Sequence, residues 1–251
     1  MMRLLHRYAS LMHFYRLSRQ LQPWLYALTA GLLTAGAVLG LFYAPADYQQ
    51  GDSFRIIYVH VPSAWMSLFV YMCMAAAAAS ALIWRVKIAE ILLRSSAPLG
   101  ASFTFLALVT GSIWGKPMWG TWWVWDARLT SELVLLFIYL GIMALDSAID
   151  DRRAGARAVA IMTLIGVINI PIVHFSVEWW STLHQGPTVS KLDKPSIHID
   201  MLIPLLLMVV GFSLYYFAVL MTRMRAEILV YDARANWVRT TLSPEATLGH
   251  D

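Results

Sequence analysis

Residues 63–84 read SAWMSLFVYMCMAAAAASALIW and contain no Asp, Glu, Lys or Arg. A helix of about 20 apolar residues crosses a hydrocarbon core of roughly 30 Å, because each residue adds about 1.5 Å. The stretch therefore predicts a membrane-spanning helix. Its alanine run, Ala75–Ala79, allows a neighbouring helix to approach closely.

Five other windows have similar length and composition, and the loops between them are short. They are Trp24–Phe42, Ser95–Ile113, Leu129–Leu145, Ala158–Phe175 and Met201–Met221. Hydrophobic residues make up 59% of the chain and charged residues 14%, whereas soluble domains carry about 25% charged residues. Because a spanning helix satisfies its own backbone hydrogen bonds, we predict an all-α polytopic membrane protein, a six-transmembrane-helix bundle formed by residues 23–222.

The distribution of positive charge predicts the orientation of this bundle. Most of the 19 lysines and arginines fall in alternate connecting segments. These are Arg3, Arg7, Arg16, Arg19, Arg85, Lys87, Arg94, Arg152, Arg153, Arg157, Arg223, Arg225, Arg234 and Arg239. The opposite segments carry Arg55, Lys116, Arg128, Lys191 and Lys194. Since cytoplasmic segments are enriched in Lys and Arg, both termini are predicted to be cytoplasmic, and the excess charge does not indicate a nucleic-acid partner.

Both termini carry helical patterns outside the six windows. Residues 1–22 predict a cytoplasmic amphipathic helix on the membrane surface, since apolar residues recur at helical spacing. These apolar residues are Leu4, Leu5, Tyr8, Leu11, Met12 and Tyr15. Residues 223–251 predict a cytoplasmic tail whose helix ends near Leu242.

Five tryptophans occur within twelve residues, and a charged pair follows them at once. They are Trp114, Trp119, Trp122, Trp123 and Trp125, followed by Asp126 and Arg128. An indole offers a large flat apolar face and one N–H donor, so the cluster suits a planar, mostly apolar ligand with ionic edges. Porphyrin is the first candidate. The alternative is a belt of interfacial tryptophans, but belts are scattered, and Gly115, Pro117 and Gly120 predict that part of this segment is not helical.

Two histidines lie on the same predicted side of the membrane as the tryptophan cluster. His60 precedes Pro62, which marks the expected start of the second span, and the positive end of a helix disfavours imidazolium. His184 follows a pair of tryptophans in the loop of residues 176–200. Each histidine alone is better explained by a structural hydrogen bond, but the two together indicate paired axial ligands of an iron. His174 and His198 are the rival ligands on this side.

Charged residues near the cluster have two interpretations. Asp126 suits the N-cap of the fourth span, and Arg128 could pair with it. Alternatively, Arg128 and Arg55 could each receive a porphyrin propionate, for which a guanidinium fork is suited. Glu132 is expected to point into the bundle, because a carboxylate facing lipid is costly.

Three motifs of this chain resemble one family of membrane proteins. They are WGKPMWGTWWVWDARLT at residues 114–130, YVHVPS at 58–63 and HFSVEWWSTLHQG at 174–186. The first resembles the WWD signature of haem-handling proteins used in cytochrome c assembly. With six spans, the combination resembles the CcmC family of haem-delivery proteins of cytochrome c maturation system I. The likeness covers roughly residues 20–225, and the length of the chain excludes the larger CcmF type.

The resemblance implies a function and a set of site residues. In such a protein His60 and His184 would ligate the iron of a non-covalent haem b from its two faces, and the loop from Trp119 to Asp126 would hold one porphyrin edge. Covalent haem attachment to this chain is excluded, because it lacks a CxxCH motif and its single cysteine is Cys73. No catalytic residue is assigned, and no role is transferred to the segment 189–198.

The resemblance also implies a location and partners. The protein would lie in a bacterial inner membrane with its haem site on the periplasmic side. It would deliver haem to the periplasmic chaperone CcmE and associate with the CcmA/CcmB ABC transporter and the small protein CcmD. Two alternatives from other classes stay open: a permease that itself moves a substrate across the bilayer, and a structural anchor that recruits ATPase subunits.

Overall fold

The computed structural model describes residues 10–180, 182–184 and 197–242. Within these ranges the chain forms eight α-helices and no β-strand. Six helical segments are long and apolar enough to cross a membrane. The predicted all-α fold with six spans is therefore confirmed, whereas the orientation of the bundle in the membrane stays a prediction.

The helices follow one another with short connections. In chain order they are α1 (Leu11–Val38), α2 (Ile57–Trp84), α3 (Lys87–Trp119), α4 (Ala127–Ala148), α5 (Arg152–Gly166), α6 (Asn169–Trp179), α7 (Ile199–Tyr231) and α8 (Asn236–Leu242). A π-helical turn, Leu39–Tyr43, continues α1, and a 3-10 turn, Asp52–Ile56, leads into α2.

The first and last helices extend beyond the predicted spans. α1 begins at Leu11 and continues through Pro23 without a break, so the amphipathic segment expected for residues 1–22 runs directly into the first span. Residues 1–9 of that segment lie outside the described part. At the other end α8 covers Asn236–Leu242, and the residues after Leu242 lie outside the described part.

The second span starts earlier than Pro62 predicts. α2 begins at Ile57, and His60 lies within its first turns instead of before the helix. The expected position of Pro62 as the first helical residue is therefore wrong. Pro62 is the sixth residue of α2 and lacks the N–H that would donate to the Tyr58 carbonyl, so the helix continues with one hydrogen bond missing.

The third span also runs further than expected. α3 continues through Gly115 and Pro117 to Trp119 and ends where Gly120 adopts a left-handed conformation with φ of 75°. Gly115 and Pro117 therefore lie within the helix, and the non-helical part that was predicted for this segment begins at Gly120. Pro117 lies in the last turn, where only one hydrogen bond is lost, and Gly120 tolerates the positive φ that closes the helix.

The fifth span consists of two helices instead of one. α5 ends at Gly166 and α6 begins at Asn169. Pro171 has no N–H to donate to the carbonyl of Val167, so the regular helical ladder cannot continue across this point. The Asn169 side chain donates to the Ser131 carbonyl on α4 at 2.9 Å, which holds the break against its neighbour.

Buried tyrosines fill the centre of the bundle and join its helices. Tyr139 of α4 donates to the Ser67 carbonyl of α2 at 2.7 Å, and its ring lies directly against Gly100 of α3. Tyr71 of α2 donates to the Thr163 carbonyl of α5 at 2.9 Å. Each phenol thus satisfies its hydroxyl in an apolar interior, as a buried polar group requires.

Ionic and aromatic contacts close one end of the bundle. Arg94 and Asp146 form an ion pair of 2.8 Å between α3 and α4. The guanidinium carbon of Arg152 lies 4.2 Å from the ring centre of Tyr231, and Trp237 of α8 packs on Tyr15 of α1. The tail helix is therefore attached to the first helix at this end.

Replacing Gly100 by Ala should destabilise the bundle. An added Cβ would overlap the Tyr139 ring, and such overpacking costs about 1–3 kcal/mol. The measurement is the thermal unfolding midpoint of the detergent-purified variant. Gly31→Ala on α1 is the matched control, because an added Cβ there meets nothing within 4 Å. Equal midpoints for the two variants would contradict the predicted close packing.

Candidate functional site

Three segments that are distant in sequence meet at the end of the bundle opposite the tail. The Trp114 indole N–H donates to the side chain of Gln50 at 2.9 Å, and the His60 ring lies 5.5 Å from Trp114, centre to centre. His184 in turn contacts Asp126 at 3.1 Å. Described residues of three segments that the charge distribution predicts on one side of the membrane therefore lie together at one end of the bundle. Their periplasmic location stays a prediction.

A small cavity lies where these segments meet. Four helices and the segment after α6 line it with His60, Ala64, Leu68, Ala107, Leu108, Arg128, Leu129, Glu132, Val173 and His184. The cavity has a volume of about 30 Å³, which is room for roughly two water molecules. Both predicted axial ligands therefore line one space, which is narrower than a porphyrin ring.

The His60 ring is fixed through its Nδ1 atom. That atom lies 3.1 Å from the Ala107 carbonyl oxygen and 3.1 Å from the Thr110 hydroxyl, both on α3. A carbonyl oxygen only accepts, so Nδ1 carries the proton and Nε2 keeps its lone pair. Gly111 leaves room for this arrangement, because a Cβ there would lie 2.9 Å from the imidazole Cε1.

The His184 ring is fixed in the same way by a carboxylate. Its Nδ1 lies 3.1 Å from Oδ2 of Asp126, which leaves Nε2 as the lone-pair nitrogen. Burial lowers the pKa of His184 below 6.5, and the Arg128 charge adds to this while Asp126 opposes it. The imidazole is therefore neutral at pH 7, the state that a metal ligand needs.

Asp126 performs two tasks with its two oxygen atoms. Oδ1 accepts the Leu129 backbone N–H at 2.8 Å and caps the start of α4, while Oδ2 holds His184. The cap that we predicted for this residue is confirmed, and it coexists with a role at the site. Arg128 makes no ion pair within 4.0 Å in the described part of the chain, so it is not the partner of Asp126.

Two tryptophans of the cluster support the histidines. Trp114 meets the His60 ring edge-on at 5.5 Å, and Trp119 meets the His184 ring edge-on at 4.9 Å. Both indoles lie in the last turns of α3, and Trp119 also packs against Gly115. One helix end therefore positions both imidazole rings. Sequence alone predicted both indoles as contacts of the porphyrin.

The other three tryptophans lie in the irregular segment after α3. Trp122 and Trp125 expose 56% and 75% of their surface, and Trp123 packs edge-on against Trp125 at 5.4 Å. Hydrogen bonds from Ser112 and Thr121 to backbone carbonyls hold the segment in place. None of the three indoles lines the cavity. Trp122 and Trp125 form an exposed apolar surface, and Trp123 is partly buried.

The remaining candidates do not line the cavity. Arg55 donates to Asp52 at 2.9 Å and to the Gly40 carbonyl at 2.8 Å, and it does not line the cavity. His174 is exposed against the Phe175 ring, and His198 is an exposed N-cap of α7. Lys191 and Lys194 lie outside the described residues.

Sequence analysis did not identify two residues that shape the site. Ala107 and Thr110 anchor His60 through a backbone carbonyl and a hydroxyl. Alanine and threonine are common in membrane spans, so nothing in the sequence marked Ala107 and Thr110 as contacts of His60. Glu132 was expected to face the bundle, and it lines the cavity.

The chain is similar to characterised families over almost its whole length. Residues 4–239 match the family model described as "Heme exporter protein C". The "Heme exporter protein C" of Haemophilus influenzae is 56% identical over 235 residues, covering 94% of this chain and 96% of the relative. The protein of the same name from Escherichia coli K12 is 52% identical over 238 residues, covering 95% of this chain and 96% of the relative. An Arabidopsis thaliana "putative cytochrome c biosynthesis ccmC-like mitochondrial protein" is 48% identical over 178 residues, covering 69% and 66%.

Replacing Asp126 by Asn should lower the pKa of His184 further. The Asp126 carboxylate attracts the imidazolium and so raises this pKa against the effect of burial; an amide removes that attraction. The measurement is an NMR titration of isotope-labelled imidazoles in the detergent-purified protein without ligand. Asp200→Asn is the control, because Asp200 pairs with the exposed His198 at 3.5 Å and does not contact His184 among the described residues. A pKa of His184 that rises or stays constant in Asp126→Asn would disprove the assigned contact.

Proposed function

The chain belongs to the heme exporter protein C family, and from this premise we propose that it binds haem b as its cargo and delivers it during cytochrome c maturation. The cargo would be held non-covalently at the cavity between His60 and His184. The names of the relatives support haem handling, and the geometry of the two histidines supports this particular site.

One observation carries the proposal: both imidazoles line one cavity with the same nitrogen left free. In each ring Nδ1 is bound to an oxygen acceptor, so Nε2 is available as a ligand. Metal-bound histidines nearly always have their other ring nitrogen fixed in this way. Two such ligands saturate the iron and suppress oxygen chemistry while the cargo is held.

Haem loading requires the walls of the cavity to separate. The open space of about 30 Å³ is far smaller than ligand pockets of about 300–1,000 Å³. The wall that carries His184 is attached to the rest of the site by Asp126 and by Trp119. These two contacts leave Nε2 free, so they can persist when the iron is bound.

Charged groups at the cavity suit the ionic edge of a porphyrin. Arg128 lines the cavity and is half-buried, and it has no ion pair within 4.0 Å among the described residues. Its guanidinium is therefore the best-placed partner for a propionate. Arg55 would first have to leave Asp52 and the Gly40 carbonyl.

The exposed indoles suit a role at the outer edge of the bound ring. Trp122 and Trp125 lie in the segment that ends at Asp126, directly before the helix that carries Arg128. Exposed apolar patches of this kind mark binding surfaces. We assign them to the porphyrin edge and to the surface that meets the haem acceptor.

The partners and location follow from the family resemblance. The acceptor would be the periplasmic chaperone CcmE, and the CcmA/CcmB transporter and CcmD would associate with this chain in the bacterial inner membrane. The alternative of a permease has less support. Beneath the cavity the large side chains of Tyr71 and Tyr139 are buried and donate to backbone carbonyls, which favours a packed interior over a pathway.

Purified protein loaded with haem should show the absorption spectrum of low-spin iron with two imidazole ligands. His60→Ala and His184→Ala should each convert it to a high-spin spectrum and weaken haem retention by roughly tenfold or more. Added imidazole should restore the low-spin spectrum, because it fills the vacant ligand position.

His174→Ala is the matched control for both variants. His174 is exposed, contacts the Phe175 ring and does not line the cavity. It should keep the wild-type spectrum. Low-spin spectra in both His60→Ala and His184→Ala, with no loss of haem, would refute the proposed ligands.

The two groups of tryptophans should behave differently. Trp114→Ala and Trp119→Ala should weaken haem retention by roughly two- to tenfold, because each removes an aromatic contact of about 0.5–1.5 kcal/mol from a ligand ring. Trp122→Ala with Trp125→Ala should keep the low-spin spectrum and slow the transfer of haem to the acceptor. The control is Trp65→Ala, an exposed indole that stacks on Phe69. A high-spin spectrum in the Trp122/Trp125 variant would contradict this division.

A further inference from the structure

A polar cluster lies between α1 and α7 at the end of the bundle that carries the tail helix. The Arg225 guanidinium donates to the side-chain carbonyl of Gln22, and the Gln22 amide donates to the Thr222 hydroxyl. The Tyr26 hydroxyl lies 2.9 Å from that of Thr222. An arginine near the end of a span usually extends freely towards water. Arg225 is instead half-buried and held by Gln22, which is only 8% exposed.

The described part of the protein does not neutralise the positive charge at this cluster. Residues 11–43, which include α1, contain no Asp or Glu. On the neighbouring part of α7, the carboxylate of Glu227 is paired with Arg152 at 3.9 Å. Arg225 makes no ion pair within 4.0 Å among the described residues, and neither does Arg19, which is exposed on α1. The cluster can therefore receive an anionic group.

The cluster lies at the level where two apolar spans end. Gln22 precedes the first apolar window by two residues, and Arg225 follows the sixth window, which ends at Met221. Trp24 is 73% exposed, and tryptophans of spanning helices are enriched at the membrane–water interface. The headgroups of a bilayer begin where its hydrocarbon core ends. In a membrane, the guanidinium of Arg225 therefore lies at the depth of the lipid phosphates.

The surface beside the cluster is apolar and exposed. α1 packs mainly against α7, and most of its other residues are not buried. The large exposed residues next to the cluster are Leu17, Leu21, Trp24 and Leu28. A fixed cation beside such a surface suits a molecule with an anionic head and acyl chains. Inorganic phosphate would use only the charge and leave the apolar surface uncovered.

We propose that Arg225 and Arg19, at the seam between α1 and α7, bind the phosphate of an acidic phospholipid whose acyl chains lie along the exposed apolar face of α1. Arg19 is on the same face of α1 as Gln22, because residues three apart are neighbours on a helix. The site lies at the opposite end of the bundle from the cavity, so the inference does not depend on haem binding.

The test is native mass spectrometry of the full-length protein, purified in detergent and titrated with phosphatidylglycerol or phosphatidylcholine. The wild type should retain phosphatidylglycerol in preference, because only this lipid has a net negative charge. Arg225→Gln should weaken the binding of phosphatidylglycerol by roughly fivefold, the effect of about one cationic side chain near an acidic lipid surface. Arg225→Lys, which keeps the charge, should lie closer to the wild type than Arg225→Gln does.

Arg153→Gln is the matched control. Arg153 is exposed in the first turn of α5, next to Arg152, which contacts Glu227 and Tyr231 of α7 at the same end of the bundle. A general attraction of this end for acidic lipid would weaken binding equally in Arg153→Gln and Arg225→Gln. A larger loss in Arg225→Gln supports the proposal, and equal losses, or no loss in either variant, overturn it.

Two further measurements separate the remaining explanations. Inorganic phosphate is added to the complex with phosphatidylglycerol: retention of the lipid supports the proposal, and displacement overturns it in favour of a site for free phosphate. If Arg225→Gln does not fold, the exposed Arg19→Gln is compared with Arg153→Gln, and the same two outcomes decide. A wild type without preference for phosphatidylglycerol overturns the proposal, and the anion at the cluster then belongs to a partner of another class, such as a protein carboxylate.

Discussion

The carboxylate of Asp126 is the contact on which the geometry of the site depends. Its two oxygens join the Leu129 backbone N–H, in the first turn of α4, to the imidazole of His184. α4 also carries Arg128 and Glu132, which line the cavity together with His184. The Asp126 side chain therefore fixes the position of His184 relative to these two residues. A buried carboxylate that accepts two hydrogen bonds is well satisfied, and it gives the ring a defined tautomer.

α3 provides most of the remaining support. It offers Ala107 and Thr110 to His60, leaves space at Gly111, and ends in the two indoles that contact His60 and His184. A rigid helix positions side chains more accurately than a loop, so support of this kind pre-organises the ligands. The exposed tryptophans after Gly120 are left for contact with a ligand edge or a partner.

Apolar stretches in the sequence predicted the six spans correctly, whereas prolines predicted the positions of helix ends incorrectly. Uninterrupted apolar windows predicted six spans, because crossing the bilayer imposes a minimum length that depends only on composition. Pro62 and Pro117 were expected to lie at or outside helix ends, yet both lie within helices: Pro62 is the sixth residue of α2, and Pro117 lies in the last turn of α3. The break at residues 167–168 was missed, because the window remains apolar throughout.

The amino-acid sequence by itself determined the all-α class, the six spans and the residue types at one end of the bundle, since these follow from apolar length and motif composition. Only the tertiary structure decided that His60 and His184 share a cavity, that Trp114 and Trp119 support them, and that Glu132 lines the same space. The physical reason is that the hydrophobicity of a span depends only on residues that are neighbours in the sequence. Contacts between side chains depend instead on how each helix is rotated and packed against its neighbours.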